Sequence, residues 1–294
     1  MIKSLVLLSG GLDSRLVCKI LQEQIQVEAI FFLLPFTGGC CSDKYCVFKF
    51  CQKEGIKLHI IDCTKGKLFQ EYLNMIRKPK FSRGTALNPC IDCHIFMLKK
   101  AKEFADKKKI EVIATGEVLG ERPLSQTKNK LLLIEKELKF DVLRPLSAKL
   151  LPETIYEKKG LIDRSKLFDI QGRQRKRQIE LARKYKISFP SPGGGCLLCE
   201  KEYCKKLKPL LENNKINYNK IKLLSVGRHF LESKIILGKN HQENLLLEKE
   251  PGIKIIPREP GPTALVKSKD LIEEAKKLIQ KYSKHKIFNF KLSH

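Results

Sequence analysis

The sequence predicts a doubly wound parallel α/β sheet followed by a small α+β domain. Three observations carry that expectation. Short apolar runs alternate with helical stretches over the first half, the pattern of βαβ units. A glycine-rich turn joins the first apolar run to the first helical stretch. Beyond about residue 204 the pattern changes to several short strand-like runs closed by one helix. At about 150 residues per domain, 294 residues make roughly two domains.

The elements follow in order. Residues 3–8, with the apolar run Leu5-Val6-Leu7-Leu8, read as a buried strand. Ser9-Gly10-Gly11-Leu12-Asp13-Ser14 is the turn, and residues 13–24 read as a helix. Residues 27–32 and 57–62 are strand-length runs on either side of a helical stretch, 43–54. Residues 93–105 read as a helix and 112–114 as a fourth strand. The 151–154 segment is a turn into a helix, and 173–186 is a basic helical stretch. Proline and glycine at 192–195 then break regular structure. A boundary falls in the 204–219 region. Strands at 221–226, 233–237, 253–256 and 264–266 and a helix at 270–282 complete the second part. The expected domains are therefore 1–204 and 205–294.

Composition narrows the function. Hydrophobic residues make up 42%, enough for a packed core. No apolar stretch approaches the roughly 18 residues of a membrane span. The N-terminus runs straight into the first strand, with no apolar leader region, so a cytoplasmic location is expected. Lys and Arg number 58 against 32 Asp and Glu, a net charge of +26. Such a field attracts polyanions, and nucleic acid is the expected partner. Part of the excess belongs to an ordinary lysine-rich surface. From residue 205 onward, 20 basic and 9 acidic residues leave +11. Eleven cysteines, an odd number, in a chain expected in a reducing compartment point to metal or sulfur chemistry rather than disulfides.

Three motifs carry that chemistry. In the first, glycines let successive N–H groups of the Ser9–Ser14 turn face one concavity, and the following helix start adds partial positive charge; both suit phosphate. The GK[ST] ending of a Walker A loop is absent. The second is Asn88-Pro89-Cys90-Ile91-Asp92-Cys93, a CxxC that by itself fits zinc, redox or iron–sulfur chemistry. The third is Pro192-Gly193-Gly194-Gly195-Cys196-Leu197-Leu198-Cys199.

The first motif resembles the PP-loop, SGGxDS, of N-type ATP pyrophosphatases, and the second the NPCxxC of tRNA thiolation enzymes in that group. With Thr115-Gly116-Glu117-Val118, Arg122-Pro123-Leu124-Ser125-Gln126 and the GGCLL segment, the chain is similar to PP-loop tRNA thiouridine synthases of the ThiI and MnmA kind. Their HUP/Rossmann-like fold agrees with the expected sheet. Val226-Gly227-Arg228-His229-Phe230 and Leu237-Gly238-Lys239-Asn240 resemble an NFACT-R-like RNA-binding domain.

The resemblance implies an ATP-dependent tRNA sulfurtransferase that adenylates a uridine carbonyl and replaces its oxygen with sulfur. Ser9, Gly10, Gly11 and Ser14 would cradle phosphate, and Asp13 would fix the loop or hold Mg²⁺. Thr115 and Gly116 would join the nucleotide site, with adenosine near Phe31 and Phe32 by analogy with open sheets. Asp13, Cys90 and Cys196 are the expected catalytic residues. Cys90, Cys93 and Cys196 would hold a [4Fe–4S] cluster. The family carries Thr at the position of Cys199, so this residue is a fourth ligand or a bystander. A persulfide mechanism without metal and a four-cysteine zinc site are the rival readings.

Arg173, Arg175, Lys176, Arg177, Arg183, Lys184 and Arg228 are the expected RNA contacts. With the first strand starting at Lys3, the expected chain has no THUMP-type module and no rhodanese domain. Sulfur would then come from an external donor, sulfide or a persulfide carrier. The expected product is 4-thiouridine at tRNA position 8. The alternatives are 2-thiouridine at the wobble position, adenylation of a different substrate, or an RNA-binding factor with a vestigial loop. Cys40, Cys41, Cys46 and Cys51 form a further cluster, read as a second site or as core packing. Cys18 and Cys63 read as packing.

Overall fold

The computed structural model describes residues 2–36, 44–81, 86–191, 195–212 and 216–293. The segment Thr37 to Cys41 and the stretch Pro192 to Gly194, both singled out in the sequence, lie outside the described residues. Contacts divide the chain into two compact units, Met1–Lys201 and Glu202–His294.

The first unit carries β1 (Lys3–Leu7), α1 (Leu12–Gln22), β2 (Gln26–Leu33), α2 (Lys44–Lys53), β3 (Lys57–Asp62), α3 (Gly66–Arg77), α4 (Cys90–Lys108), β4 (Val112–Thr115), α5 (Lys128–Leu138), α6 (Ile155–Lys158) and α7 (Lys176–Lys184). Its four strands pair in parallel in the order β3-β2-β1-β4. The chain therefore winds from β1 outward to β3, then returns to the other side of β1. That reversal opens a crevice at the carboxyl ends of β1 and β4, where open α/β sheets bind ligands.

Burial explains the pattern. Leu12, Leu16, Val17, Ile20 and Leu21 put one face of α1 against Val6, Ala29, Val112 and Ala114 of the sheet. Each of these side chains is at most 1% exposed. Thr154 starts α6 with a reciprocal capping box to Glu157, where the sequence predicts a turn into a helix.

Some elements differ from expectation. Helix α4 begins at Cys90, not at residue 93: Pro89 is its N-cap, and its carbonyl accepts the first helical bond from Cys93 N at 2.8 Å. Both cysteines of the CxxC thus lie in its first turn. Helices α3 and α5 are additional. Helix α7 covers only part of the 173–186 stretch.

The second unit contains α8 (Lys201–Leu211), α9 (Tyr218–Leu223), β5 (Arg228–Phe230), β6 (Ile235–Leu237), α10 (His241–Glu248), β7 (Ile253–Pro257), β8 (Ala264–Val266), α11 (Ile272–Tyr282) and β9 (Phe290–Ser293). Helix α8 starts one residue before the division. Five strands form an antiparallel sheet in the order β5-β6-β8-β7-β9. Ala275 and Ile279 of α11 close a core over Ile235, Leu237, Ile255, Ala264 and Val266. In place of the strand expected at 221–226, residues 221–223 end helix α9 and 224–226 form a turn. The Asn217 side chain accepts from the Lys220 N–H at 2.9 Å, a helix cap that decides the local conformation. Among the described residues no helix is long and apolar enough to cross a membrane.

Candidate active site

The glycine-rich turn sits where β1 ends and α1 begins. Gly10 has a φ of +86°, a region L side chains rarely adopt. Ser9 and Ser14 face each other across the turn, hydroxyl to hydroxyl at 3.2 Å, and Ser14 Oγ donates to the Gly11 carbonyl at 3.1 Å. A residue the sequence did not single out holds the turn from beneath. Buried Arg15 donates from Nε to the Gly10 carbonyl at 2.8 Å and from Nη1 to the Ser188 carbonyl at 2.7 Å. Its Nη2 reaches Cys46 Sγ at 2.9 Å.

The loop after β4 closes against the same turn. A Cβ on Gly116 would lie 2.5 Å from Ser14 N, so only glycine allows this approach. Thr115, expected at the nucleotide, spends its hydroxyl on Glu117 Oε2 at 3.0 Å. Arg144 Nε donates to the same oxygen at 2.9 Å, and His94 Nδ1 to Oε1 at 2.6 Å. Burial opposes ionisation of Glu117, but Arg144 and His94 overcome it and hold its pKa at about 2. Neither His94 nor Glu117 stands out as a site residue in the sequence.

His94 lies one helical turn from Cys90 on α4, and the thiols gather at the amino end of that helix. Cys90 Sγ is 3.6 Å from Cys199 Sγ. Cys196 also hydrogen-bonds to Cys199, and these two thiol contacts lower the Cys199 pKa. The same contacts, with burial, raise Cys90 and Cys196. Burial raises Cys93 to about 11 although Tyr72 Oη lies 3.2 Å from its sulfur. A backbone bond from Asn88 N to the Leu198 carbonyl ties the two cysteine segments together, and Leu197 N donates to the Phe36 carbonyl beyond β2. Cys199, left open by the sequence, is thus in contact with two of the expected ligands.

Among the described residues no set of three or more His, Cys, Asp or Glu side chains has the geometry of a metal site. The donor types nevertheless suit a thiolate-bound group: four cysteines from two distant segments converge. Cys63, buried beside Cys93, adds a fifth sulfur nearby.

Other expected residues are placed differently. Phe31 is 1% exposed within the core and Phe32 is 7% exposed, so neither ring has a face free for adenine. Arg175, expected as an RNA contact, is only partly exposed and lies beside the loop. Its Nη2 lies 3.6 Å from Asp13 Oδ2, because α7 packs on α1 and turns this side chain inward. Arg173, Lys176, Arg177, Arg183 and Lys184 are exposed, with Arg177 paired to Asp169 at 2.7 Å. Arg228 is exposed and lies over the Tyr282 ring at 5.0 Å. His229 is structural: its ring bonds Ser233 Oγ and the Val226 carbonyl, each at 2.9 Å, and burial lowers its pKa to about 4. Cys51 and Cys18 are core residues. Cys40 and Cys41 lie outside the described residues.

Fold and loop together define the class: a nucleotide-binding α/β domain of the PP-loop kind, with thiols gathered at the carboxyl edge of the same sheet. The family model for the thiamine biosynthesis protein (ThiI) matches residues 2–150, and the chain belongs to that family. A tRNA-specific 2-thiouridylase MnmA from Campylobacter concisus is 30% identical over 159 residues, 50% of this chain and 46% of that protein. A probable tRNA sulfurtransferase from Ureaplasma parvum is 31% identical over 173 residues, 57% of this chain and 40% of that protein. The chain spans less than half the length of these relatives. Among solved structures, the U34-tRNA thiolase NcsA from Methanococcus maripaludis with its [4Fe–4S] cluster aligns with a TM-score of 0.39 and 20% identity, over 76% of this chain and 73% of that one.

Proposed function

We propose that this protein is an ATP-dependent tRNA sulfurtransferase. One observation carries the reading: a phosphate-cradling loop and a cluster of cysteines from two distant segments lie at one end of one sheet. The link is continuous. Gly116 touches the loop at Ser14, Glu117 binds His94, and His94 stands one helical turn from Cys90.

The chemistry has two steps. The uracil carbonyl oxygen attacks the α-phosphorus of ATP, and pyrophosphate leaves. Sulfur from an external donor then adds to the activated carbon, and AMP departs with the former carbonyl oxygen. Activation is needed because a carbonyl oxygen is a poor leaving group and AMP a good one. The backbone N–H groups of the loop and the start of α1 stabilise charge on the departing pyrophosphate. Asp13 would hold the magnesium that accompanies the nucleotide. Cys90, Cys93 and Cys196 would hold a [4Fe–4S] cluster, with Cys199 against it. When bound, such a cluster would supply a site for sulfide. The second unit, with its basic surface, is assigned to RNA binding, as the NFACT-R-like motifs suggest.

The proposed product is 4-thiouridine at position 8; the similarity to MnmA favours 2-thiouridine as the second reading. Unmodified tRNA incubated anaerobically with the protein, magnesium-ATP and sulfide is expected to yield a thiolated uridine by nucleoside mass spectrometry. Chromatographic retention separates the two isomers. No thionucleoside from protein with bound ATP and full iron content would overturn the assignment.

A further inference from the structure

Among the described residues, several buried polar atoms beside the loop are short of hydrogen-bond partners. Arg175 Nε and the Gln178 amide oxygen are buried without one, and the Gln178 amide nitrogen approaches the Asp13 carboxylate without reaching good hydrogen-bond geometry. Gln178 is 0% exposed. The Arg175–Asp13 contact, at 3.6 Å, is longer than a hydrogen bond. A buried unsatisfied polar group costs about 1–3 kcal/mol, and native proteins keep few of them. A pair with a purely structural role would close to hydrogen-bond distance and satisfy its remaining atoms. These side chains lie at the starts of α1 and α7, next to the phosphate loop, with hydrogen-bonding capacity to spare.

The geometry assigns Arg175, with Gln178 beside it, to the triphosphate of ATP rather than to RNA. This rests on the reading of the loop as an ATP site. Magnesium-bound triphosphate still carries net negative charge, and a guanidinium matches phosphate oxygens with paired N–H donors. In the structure Arg175 lies near Asp13. When the nucleotide enters, Asp13 turns to magnesium and Arg175 to the β- and γ-phosphate oxygens. Buried Nε and the fixed amide of Gln178 restrict where that guanidinium can swing. Helix α7 then has two functions: residues at its amino end meet the nucleotide, and its exposed basic residues remain free for other anions.

The test compares equilibrium binding of α,β-methylene-ATP, which cannot be cleaved at the relevant bond, with binding of AMP, using the full chain and magnesium. Arg175→Gln is expected to weaken the triphosphate analogue tenfold or more and AMP less than twofold. Arg175→Lys keeps the charge but not the paired donors, and is expected to recover only part of the loss. Thermal unfolding of each variant checks its fold. Equal weakening of both ligands would assign Arg175 a structural role, and no weakening of either would remove it from the site; both overturn the inference. Wild-type protein that binds neither ligand would overturn the ATP reading itself, and the inference with it.

Discussion

Glu117 concentrates the consequences of burial in one side chain. It is 5% exposed and receives bonds from His94, Thr115 and Arg144. Its pKa falls from an ordinary 4.5 to about 2, so its ionised form favours the folded state. The contribution is complete above pH 4.5 and is lost as the pH falls towards 2. Between pH 5 and pH 3, Glu117 should therefore account for roughly 2 kcal/mol of lost stability. In Glu117→Gln, that part of the loss should disappear. The variant should also be less stable at pH 7 by about 1–3 kcal/mol, because Arg144 loses one of its two carboxylate partners and keeps only Glu135. Urea unfolding of both proteins at pH 7, 5 and 3 measures both effects. If wild type and variant lose equal stability on acidification, Glu117 is not ionised in the folded chain. This residue also marks the limit of what the sequence discloses. The cysteines and the SGGLDS turn are legible because their spacing is local. The His94–Glu117 pair spans 23 residues and is closed only by the fold. Arg175 sits in a basic run, and nothing local says which guanidinium turns inward.

At the scale of elements, the parallel strands were legible because apolar runs buried on both faces have few alternatives. Helix α3 also carries its signal, with Phe69, Tyr72, Leu73 and Ile76 buried at helical spacing. Helix α9 did not, because a short apolar run fits strand or helix alike and Asn217 decides between them. Helix α7 has two faces with different work. Gln178 and Ala182 are buried, and Arg183 and Lys184 stand exposed near its end. Replacing Arg183 and Lys184 together with Gln should weaken tRNA binding severalfold. Each lost phosphate contact should also lower the slope of log affinity against log salt by about one. Filter binding of tRNA across a series of salt concentrations measures both. An unchanged slope would take these two residues out of the RNA surface.

At the scale of the molecule, the charge of +26 is shared between two units with separate cores. The loop and all four gathered cysteines belong to the first unit, and the antiparallel sheet to the second. This division predicts that capture of RNA and activation chemistry are separable. A chain of residues 1–201 retains the loop, Arg175 and the cysteines, and its hydrophobic core is complete without the second unit. It should bind α,β-methylene-ATP within about twofold of the full chain, since every proposed nucleotide contact is retained. Its tRNA affinity should fall at least tenfold, because the removed residues 202–294 carry a net charge of +10 and neutralise phosphates through counterion release. Raising the salt should narrow the difference between the two chains, because the missing contribution is electrostatic. Equal tRNA affinity at low salt would place RNA recognition entirely in the first unit. The exposed basic residues of α7 would then be its leading part.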